Sequence, residues 1–352
     1  MKNLPFVTVV LPIRNETAHI ERSLGAVLAQ DYPQDRLEVI VADGMSTDGT
    51  RDMIRFYQAT HPNLRMVDNT GGIVPTGLNA AIQQARGEII VRVDGHTEIA
   101  PDYVRQCVAE IQRTGADNVG GKMTAVCEGA FGEAVAEATS SPFGVGGARF
   151  HYSDREEWVD TVYMGAWPRE VFDRIGLFDE ELVRNQDDEF NYRLLEHGGR
   201  ILLSPEIKSL YTPRDNLRAL WRQYFQYGYW KVRVMQKHAG QMRARQFAPP
   251  AFVAALLGSA ALALFSAPGR VLLALVSGAY GLASLAASVW MARKAGWHHL
   301  PLLPVVFGTL HLSYGLGFLV GLAEFRDRWS DKSNTYQGSE VRDQSLGAAS
   351  ER

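Results

Sequence analysis

The chain has 352 residues, 46% of them hydrophobic, enough apolar material for one large domain and an accessory segment, which excludes disorder as its main state. A formal net charge of −3 gives no global attraction to nucleic acid, and none of the usual nucleic-acid modules is present. Two cysteines, Cys107 and Cys127, are too few for a disulfide framework and lack zinc-site spacing, so the N-terminal part reads as cytosolic.

Met1–Phe6 does not open a signal-peptide pattern, because Asn15 and Glu16 interrupt the apolar run that follows, and no export of the N-terminal part is expected. Val7–Ile13 is a β-branched run that predicts a strand, and the polar-apolar stretch Thr17–Ala29 predicts a helix after it. The strand signal returns at Leu37–Ala42, Leu64–Asn69 and Glu88–Asp94, with helical patterns near 50–60, 76–86 and 101–114. Such alternation predicts an α/β fold with a mostly parallel sheet and helices on both faces. Ligands of these sheets bind at the carboxyl ends of the strands. Asn15 and Glu16 follow the first strand, Asp43 the second, and Asp94 and His96 the fourth. Any one of them is an ordinary turn former; loaded together on three strand ends, they point to a site.

Asp43-Gly44-Met45-Ser46-Thr47-Asp48-Gly49-Thr50 places an acid at a strand end, where it can accept hydrogen bonds from a base or ribose, and Asp48 where it can cap the next helix. No G-x-G-x-x-G and no Walker loop is present, so a diphosphate would need another counter-charge. Val91-Arg92-Val93-Asp94-Gly95-His96 offers one, since a carboxylate and an imidazole two residues apart can reach a single divalent ion. Further on, Gln186-Asp187-Asp188-Glu189 opens a helix running to Glu196, either as a solvated acidic start or as a source of carboxylates. From Arg214 to Arg245 eight basic residues face one acid, Asp215, with Leu217, Leu220, Trp221 and Tyr224 at helical spacing, which predicts an amphipathic, membrane-surface segment.

Residues 246–269, 271–292 and 295–323 contain no Asp, Glu, Lys or Arg. Each run exceeds the roughly 20 residues that span a bilayer, so membrane insertion is expected. With a cytosolic N-terminal domain, three spans put Arg293 and Lys294 inside and the C-terminal tail outside. The tail carries Arg326, Arg328 and Lys332, which favour the cytoplasmic side, and Pro268, Gly269, Pro301 and Pro304 let one segment be re-entrant or interfacial instead. Both topologies are open from sequence.

Taken in order, Pro12-Ile13-Arg14-Asn15-Glu16, the Asp43–Thr50 segment, Gly77-Leu78-Asn79, Asp94-Gly95-His96 and Gln186-Asp187-Asp188-Glu189 resemble the family 2 inverting glycosyltransferases of the GT-A fold, over about residues 5–240. Within that family the chain is most similar to succinoglycan-type exopolysaccharide enzymes with C-terminal membrane helices. The resemblance implies a nucleotide-sugar-binding GT-A domain over 1–212, a basic interfacial segment over 213–248, about three membrane helices over 249–324, and a polar, disordered tail over 325–352. It implies that Pro12, Asn15 and Glu16 line the nucleotide pocket, that Asp43 meets uracil or ribose, and that Asp94 begins the metal motif. His96 stands where the family usually has a second Asp, so the divalent cofactor, Mn²⁺ or Mg²⁺, is left open. Aligned on Arg193, the family's general base falls on Asp187, with Asp188 as the alternative.

On the acceptor side the resemblance points to the loop Tyr163–Trp167, where Trp167 either stacks on a sugar or fills the core. Gln223, Tyr224 and Trp230 lie roughly where processive relatives carry Gln-x-x-Arg-Trp, a poor match. The expected activity is transfer of a sugar from a UDP-linked donor to a lipid-linked saccharide acceptor in extracellular polysaccharide synthesis. The expected location is the cytoplasmic membrane, with the catalytic domain facing the cytoplasm and no nucleic-acid partner. The alternatives are a polyprenyl-phosphate sugar synthase and an inactive membrane scaffold.

Overall fold

The structure, a computed structural model, describes residues 4–331. In chain order the elements are β1 (Val7–Ile13), α1 (Ile20–Leu28), β2 (Leu37–Asp43), α2 (Thr50–Gln58), β3 (Leu64–Asp68), α3 (Val74–Gln84), β4 (Ile89–Arg92), β5 (Thr97–Ile99), α4 (Tyr103–Thr114), β6 (Asn118–Ala125), α5 (Ala130–Thr139) and α6 (Pro142–Val145). There follow β7 (Glu157–Val159), β8 (Tyr163–Pro168), α7 (Glu170–Ile175), α8 (Gln186–Glu196), β9 (Ile201–Tyr211), α9 (Leu217–Lys237), α10 (Ala248–Ala263), α11 (Ala267–Ala295) and α12 (Leu303–Glu324). Among the described residues they form two compact units: one from the chain up to Thr124 together with Ser153–Tyr211, the other from Ala125–Tyr152 together with 212–331.

The first unit is built on one sheet of order β3-β2-β1-β4-β8-β6-β9-β5, with β7 also paired to β9. The runs VTVVLPI and LEVIVAD are buried along their whole length, as strands covered on both faces must be. Pairing is parallel from β3 through β4 and places Ile13 opposite Asp43, Asp43 opposite Asp68, and Val10 opposite Arg92. The carboxyl ends of three strands therefore come level. Beyond β4 the sheet departs from the mostly parallel expectation: β8 runs antiparallel to β4 and β6, and β9 antiparallel to β5 and β7. The departure is physical, since regular strand-helix alternation stops after α4 and a parallel pairing needs a crossover helix.

The second unit begins inside what sequence reads as an uninterrupted 1–212 domain. Ala134, Val135 and Ala138 of α5 share an apolar cluster with Leu303, Val306, Phe307 and Leu310 of α12, so Ala125–Tyr152 packs with the C-terminal helices. α9 belongs to the same unit. It lies along α12 through glycines: a Cβ on Gly228 would strike the carbonyl of Tyr314, one on Gly317 that of Phe225, and one on Gly321 that of Tyr229, 2.6 Å away. Small residues permit such backbone approach. α10, α11 and α12, the first taken from Ala244, are each long and apolar enough to cross a membrane. The stretch following α12 is not wholly a free tail: Phe325 is buried against Tyr229 and Trp230, and its carbonyl accepts from Gln236 at 2.8 Å. The remainder of the expected tail, 332–352, lies outside the described residues.

The glycine contacts give a sign-reversing test. Gly308→Ala, at a position with open space around the added methyl, should raise stability by up to about 1 kcal/mol through helix propensity. Gly317→Ala should lower it by about 1–3 kcal/mol, because the methyl meets a carbonyl held by α9. Thermal unfolding of the detergent-solubilised full chain reads both, and equal effects would contradict the close approach.

Candidate active site

Pro12 and Ile13 close β1, and the chain then turns sharply at Asn15, whose φ of 55° is left-handed. Asn15 is fixed on both sides: its N–H donates to Ser46 Oγ at 2.8 Å and its Oδ1 accepts from the Thr47 N–H at 2.9 Å. The Glu16 N–H donates to Thr50 Oγ1 at 3.0 Å, and the Thr17 N–H to Asp48 at 3.1 Å. Two loops at adjacent strand ends are thus laced into one wall. Burial tends to raise the Asp48 carboxyl, but hydrogen bonds from Thr50 and Thr17 outweigh it and hold the group well below the usual carboxylate range.

Asp43 is fully buried at the end of β2. Its Oδ2 accepts from Arg51 at 2.7 Å and from the Ser46 N–H at 3.1 Å, and Arg51 reaches on to Asp68 at 2.7 Å. Its Oδ1 has no hydrogen-bond partner. A buried acceptor left unsatisfied is costly, and a ligand N–H or O–H arriving here removes that cost.

Arg92 and Asp94 form the centre of the next strand end. Arg92 is 5% exposed and grips Asp94 with two bonds, Nε to Oδ1 at 2.7 Å and Nη2 to Oδ2 at 3.1 Å. Burial pushes the Asp94 carboxyl up, but the Arg92 guanidinium more than offsets this and keeps it below the ordinary range, hence ionised. Burial works against the charge of Arg92, but Asp94 and, next, Asp187 outweigh it, which brings the start of α8 into the same field. Arg92 Nη1 is a buried donor without a partner. His96 has its Nδ1 3.6 Å from Glu16 Oε1 and its ring edge-on to Tyr211 at 5.4 Å. An imidazole and an ionised carboxylate, both partly accessible, suit a divalent ion, and the carboxylate oxygens keep lone pairs beyond those taken by Arg92.

At the start of α8 the three acids separate by environment. Glu189 is fully buried and paired with Arg193 at 2.9 Å, and Arg193 also donates to the carbonyl of Leu177 at 2.9 Å. That pair is structural. Asp187 and Asp188 are half-buried, and Asp187 Oδ1 accepts from the Asp188 N–H at 3.0 Å. Among the described residues four non-glycines have left-handed backbone, Asn15, Met45, Met164 and Asn185, and each lies within two residues of a candidate or, for Met164, meets one through its sulfur: Glu16, Asp43, Asp94 and Asp187. Backbone strain of this kind gathers at functional sites.

The candidates named for the acceptor side have these surroundings. Trp167 is 2% exposed and edge-on to Phe172, Phe178 and Phe190, so it fills the core and offers no face to a sugar. Gln223 donates to the Tyr227 hydroxyl at 2.9 Å, Tyr224 packs in the α5–α12 cluster, and Trp230 packs against Phe325. All three belong to the helical unit. Asn79 of the Gly77-Leu78-Asn79 motif clamps the loop before α8, exchanging bonds with the Phe178 carbonyl at 2.8 Å and N–H at 2.9 Å. Arg92 and Arg51 were not singled out from sequence, although an arginine inside the apolar run Ile89–Val93 was a visible signal.

Residues 8–176 match the sequence model described as Glycosyl transferase family 2. The succinoglycan biosynthesis protein ExoA of Rhizobium meliloti is 32% identical over 322 residues, covering 91% of this chain and 96% of its own. A dolichyl N-acetyl-alpha-D-glucosaminyl phosphate 3-beta-D-2,3-diacetamido-2,3-dideoxy-beta-D-glucuronosyltransferase of Methanococcus voltae is 27% identical over 240 residues, 66% of this chain and 74% of its own. Among solved structures, the mannosyltransferase PcManGT of Pyrobaculum calidifontis, in complex with GDP-Man and Mn²⁺, is similar in fold with a TM-score of 0.59. It is 24% identical, and the match covers 92% of this chain and 88% of that one.

Proposed function

The chain belongs to glycosyl transferase family 2 and is a glycosyltransferase with a GT-A-like fold, and from that premise we propose that it moves a sugar from a uridine diphosphate donor, with inversion, to a lipid-linked saccharide of an extracellular polysaccharide. The observation that carries the reading is the convergence of Asp43, Asp94 and Asp187 on one end of the sheet, with Arg92 in the field of two of them. Asp43 Oδ1 receives the base or ribose, and Asn15 and Glu16 shape the pocket beside it. Asp94 and His96 would hold a divalent ion, which would supply positive charge to the diphosphate. Arg92 adds a fixed positive charge, and its open Nη1 donates to an oxygen of the donor.

Asp187 takes the proton of the acceptor hydroxyl while that oxygen bonds to the anomeric carbon from the face opposite the diphosphate. The bond from that carbon to the diphosphate oxygen breaks, and the diphosphate leaves with the electron pair. A single displacement inverts the configuration. The acceptor assignment rests on the similarity to ExoA and to an enzyme whose name describes a dolichyl-phosphate-linked sugar as its substrate.

The test offers a panel of labelled nucleotide sugars to the purified full chain with lipid-linked saccharides or with polyprenyl phosphate. The expected product is an elongated lipid-linked saccharide of inverted configuration by NMR. A monophosphate-linked monosaccharide would replace this reading with a polyprenyl-phosphate sugar synthase. Nucleotide binding without turnover of any donor would leave a scaffold.

A further inference from the structure

We propose that only α10 and α11 cross the bilayer, as a hairpin, and that α12 is the interior helix of a bundle lying on the side from which the hairpin enters. The exposure of the three apolar helices separates them. On the hairpin between residues 254 and 279, Ser259 and Gly269 alone are buried, while Leu257, Leu262, Leu264, Phe265, Val271 and Leu275 stand open. On α12 the pattern is reversed, and only Val305, Val320, Ala323 and Glu324 are exposed. A helix that lipid surrounds presents apolar side chains outward; α12 presents almost none, because protein already covers it.

What covers α12 is charged. α9 runs beside it in the same direction: Leu220 clusters with Phe307 and Leu310, Gly317 meets Phe225, Gly321 meets Tyr229, and Gln236 bonds the carbonyl of Phe325. α9 carries Arg218 and Arg222 near one end and Lys231, Arg233 and Lys237 at the other, with Arg233 wholly buried beside Gln236, the Arg328 carbonyl and Asp331. Its uncharged stretch, 223–230, rises about 12 Å, less than half of the roughly 30 Å hydrocarbon layer. α5, which packs on the first half of α12, carries Glu133 and Glu137. A spanning α12 would pull these cations and acids into hydrocarbon.

The hairpin has the opposite character. Its arms lie in the charge-free runs 246–269 and 271–292, each of spanning length, with their bases drawn into the bundle at Val253 on one arm and at Tyr280, Met291 and Ala292 on the other. Arg243, Arg245, Arg293 and Lys294 sit at its base, and Arg270 lies at its tip beside the Ser266–Gly269 turn, where a crossing hairpin meets the far headgroups. With two crossings, Arg326 and Arg328 also lie on the base side. Every cation flanking the apolar helices except Arg270 is then on one face, as the positive-inside tendency requires, and the conflict posed by three spans disappears. The excursion Ala125–Tyr152 joins that face by connectivity, since its helices of 10 and 4 residues cannot cross.

Single cysteines placed in the full chain, with Cys127→Ser and the buried Cys107 retained, test this directly. Asp35→Cys marks the catalytic unit, Phe265→Cys the hairpin tip and Ser330→Cys the exit of α12, all at exposed positions. A membrane-impermeant maleimide is applied to intact cells and to inverted vesicles, with detergent-opened membranes to show that each thiol is reactive. Asp35→Cys and Ser330→Cys are expected to react only in inverted vesicles, and Phe265→Cys only in intact cells. Labelling of Ser330→Cys from the face opposite Asp35→Cys would establish a crossing α12 and overturn the proposal. Labelling of Phe265→Cys from the same face as Asp35→Cys, or from neither face until detergent is added, would overturn the crossing of the hairpin.

Discussion

Asp187→Asn is expected to lower kcat by about 10²–10⁴-fold, the usual cost of removing a general base, while donor affinity stays near that of the unaltered protein. The amide keeps the size of the carboxylate and its acceptor for the Asp188 N–H, so the first turn of α8 is retained. A loss confined to kcat means that the group acts in the transition state and not in holding the donor. Asp188→Asn is the matched control. One residue along a helix points about 100° away, and its effect should be mild. Glu189 needs no such test, since its buried pair with Arg193 commits it to the fold. Steady-state kinetics of both variants, with donor affinity measured separately by calorimetry, decides between the two acids. A dead Asp188→Asn beside a normal Asp187→Asn would move the base by one residue.

Removing divalent cations should abolish turnover altogether, and Mn²⁺ should restore it at least as well as Mg²⁺. The expectation follows from the donor set: imidazole favours the later ion, whereas a second carboxylate in place of His96 would favour the harder one. His96→Asp should accordingly shift the preference toward Mg²⁺ without loss of fold, because His96 is partly exposed and its neighbours Glu16 and Tyr211 hold it only at its edges. Activity that survives exhaustive chelation would remove the ion from the site and leave Arg92 as the counter-charge of the diphosphate. Rates with each cation, titrated for both proteins, provide the measurement.

Much of the sheet was legible because burial on both faces writes itself as continuous β-branched runs. Val7–Ile13 is the strand that sequence predicts, and Leu37–Ala42 is one residue short of the observed end at Asp43. The strand-end acids were legible for the same reason, since an acid that ends an apolar run is visible in one dimension. The antiparallel half was not. β7 has three residues and β8 carries a left-handed Met164 at its second position, so neither length nor alternation marks them. Trp167 illustrates the limit in another way: an aromatic near a binding loop and an aromatic under it have the same letter, and only the ring of phenylalanines settles which it is. A motif match likewise carries no information about which neighbours a helix will have, as Gln223, Tyr224 and Trp230 of α9 show.

The detour of the chain through Ala125–Tyr152 has a consequence for how the protein is made. α5 leaves the ribosome with Ala134, Val135 and Ala138 ready for burial, but the α12 residues that bury them are translated some 170 residues later. At roughly 5–20 residues per second, that apolar face waits on the order of ten seconds or more. During the wait β7, β8 and β9 emerge and the sheet can close around β6, whereas the cluster that buries α5 stays incomplete until α12 is made. The apolar face of α5 is therefore the part of the chain whose burial comes late, set by the order of synthesis and not by the strength of its packing.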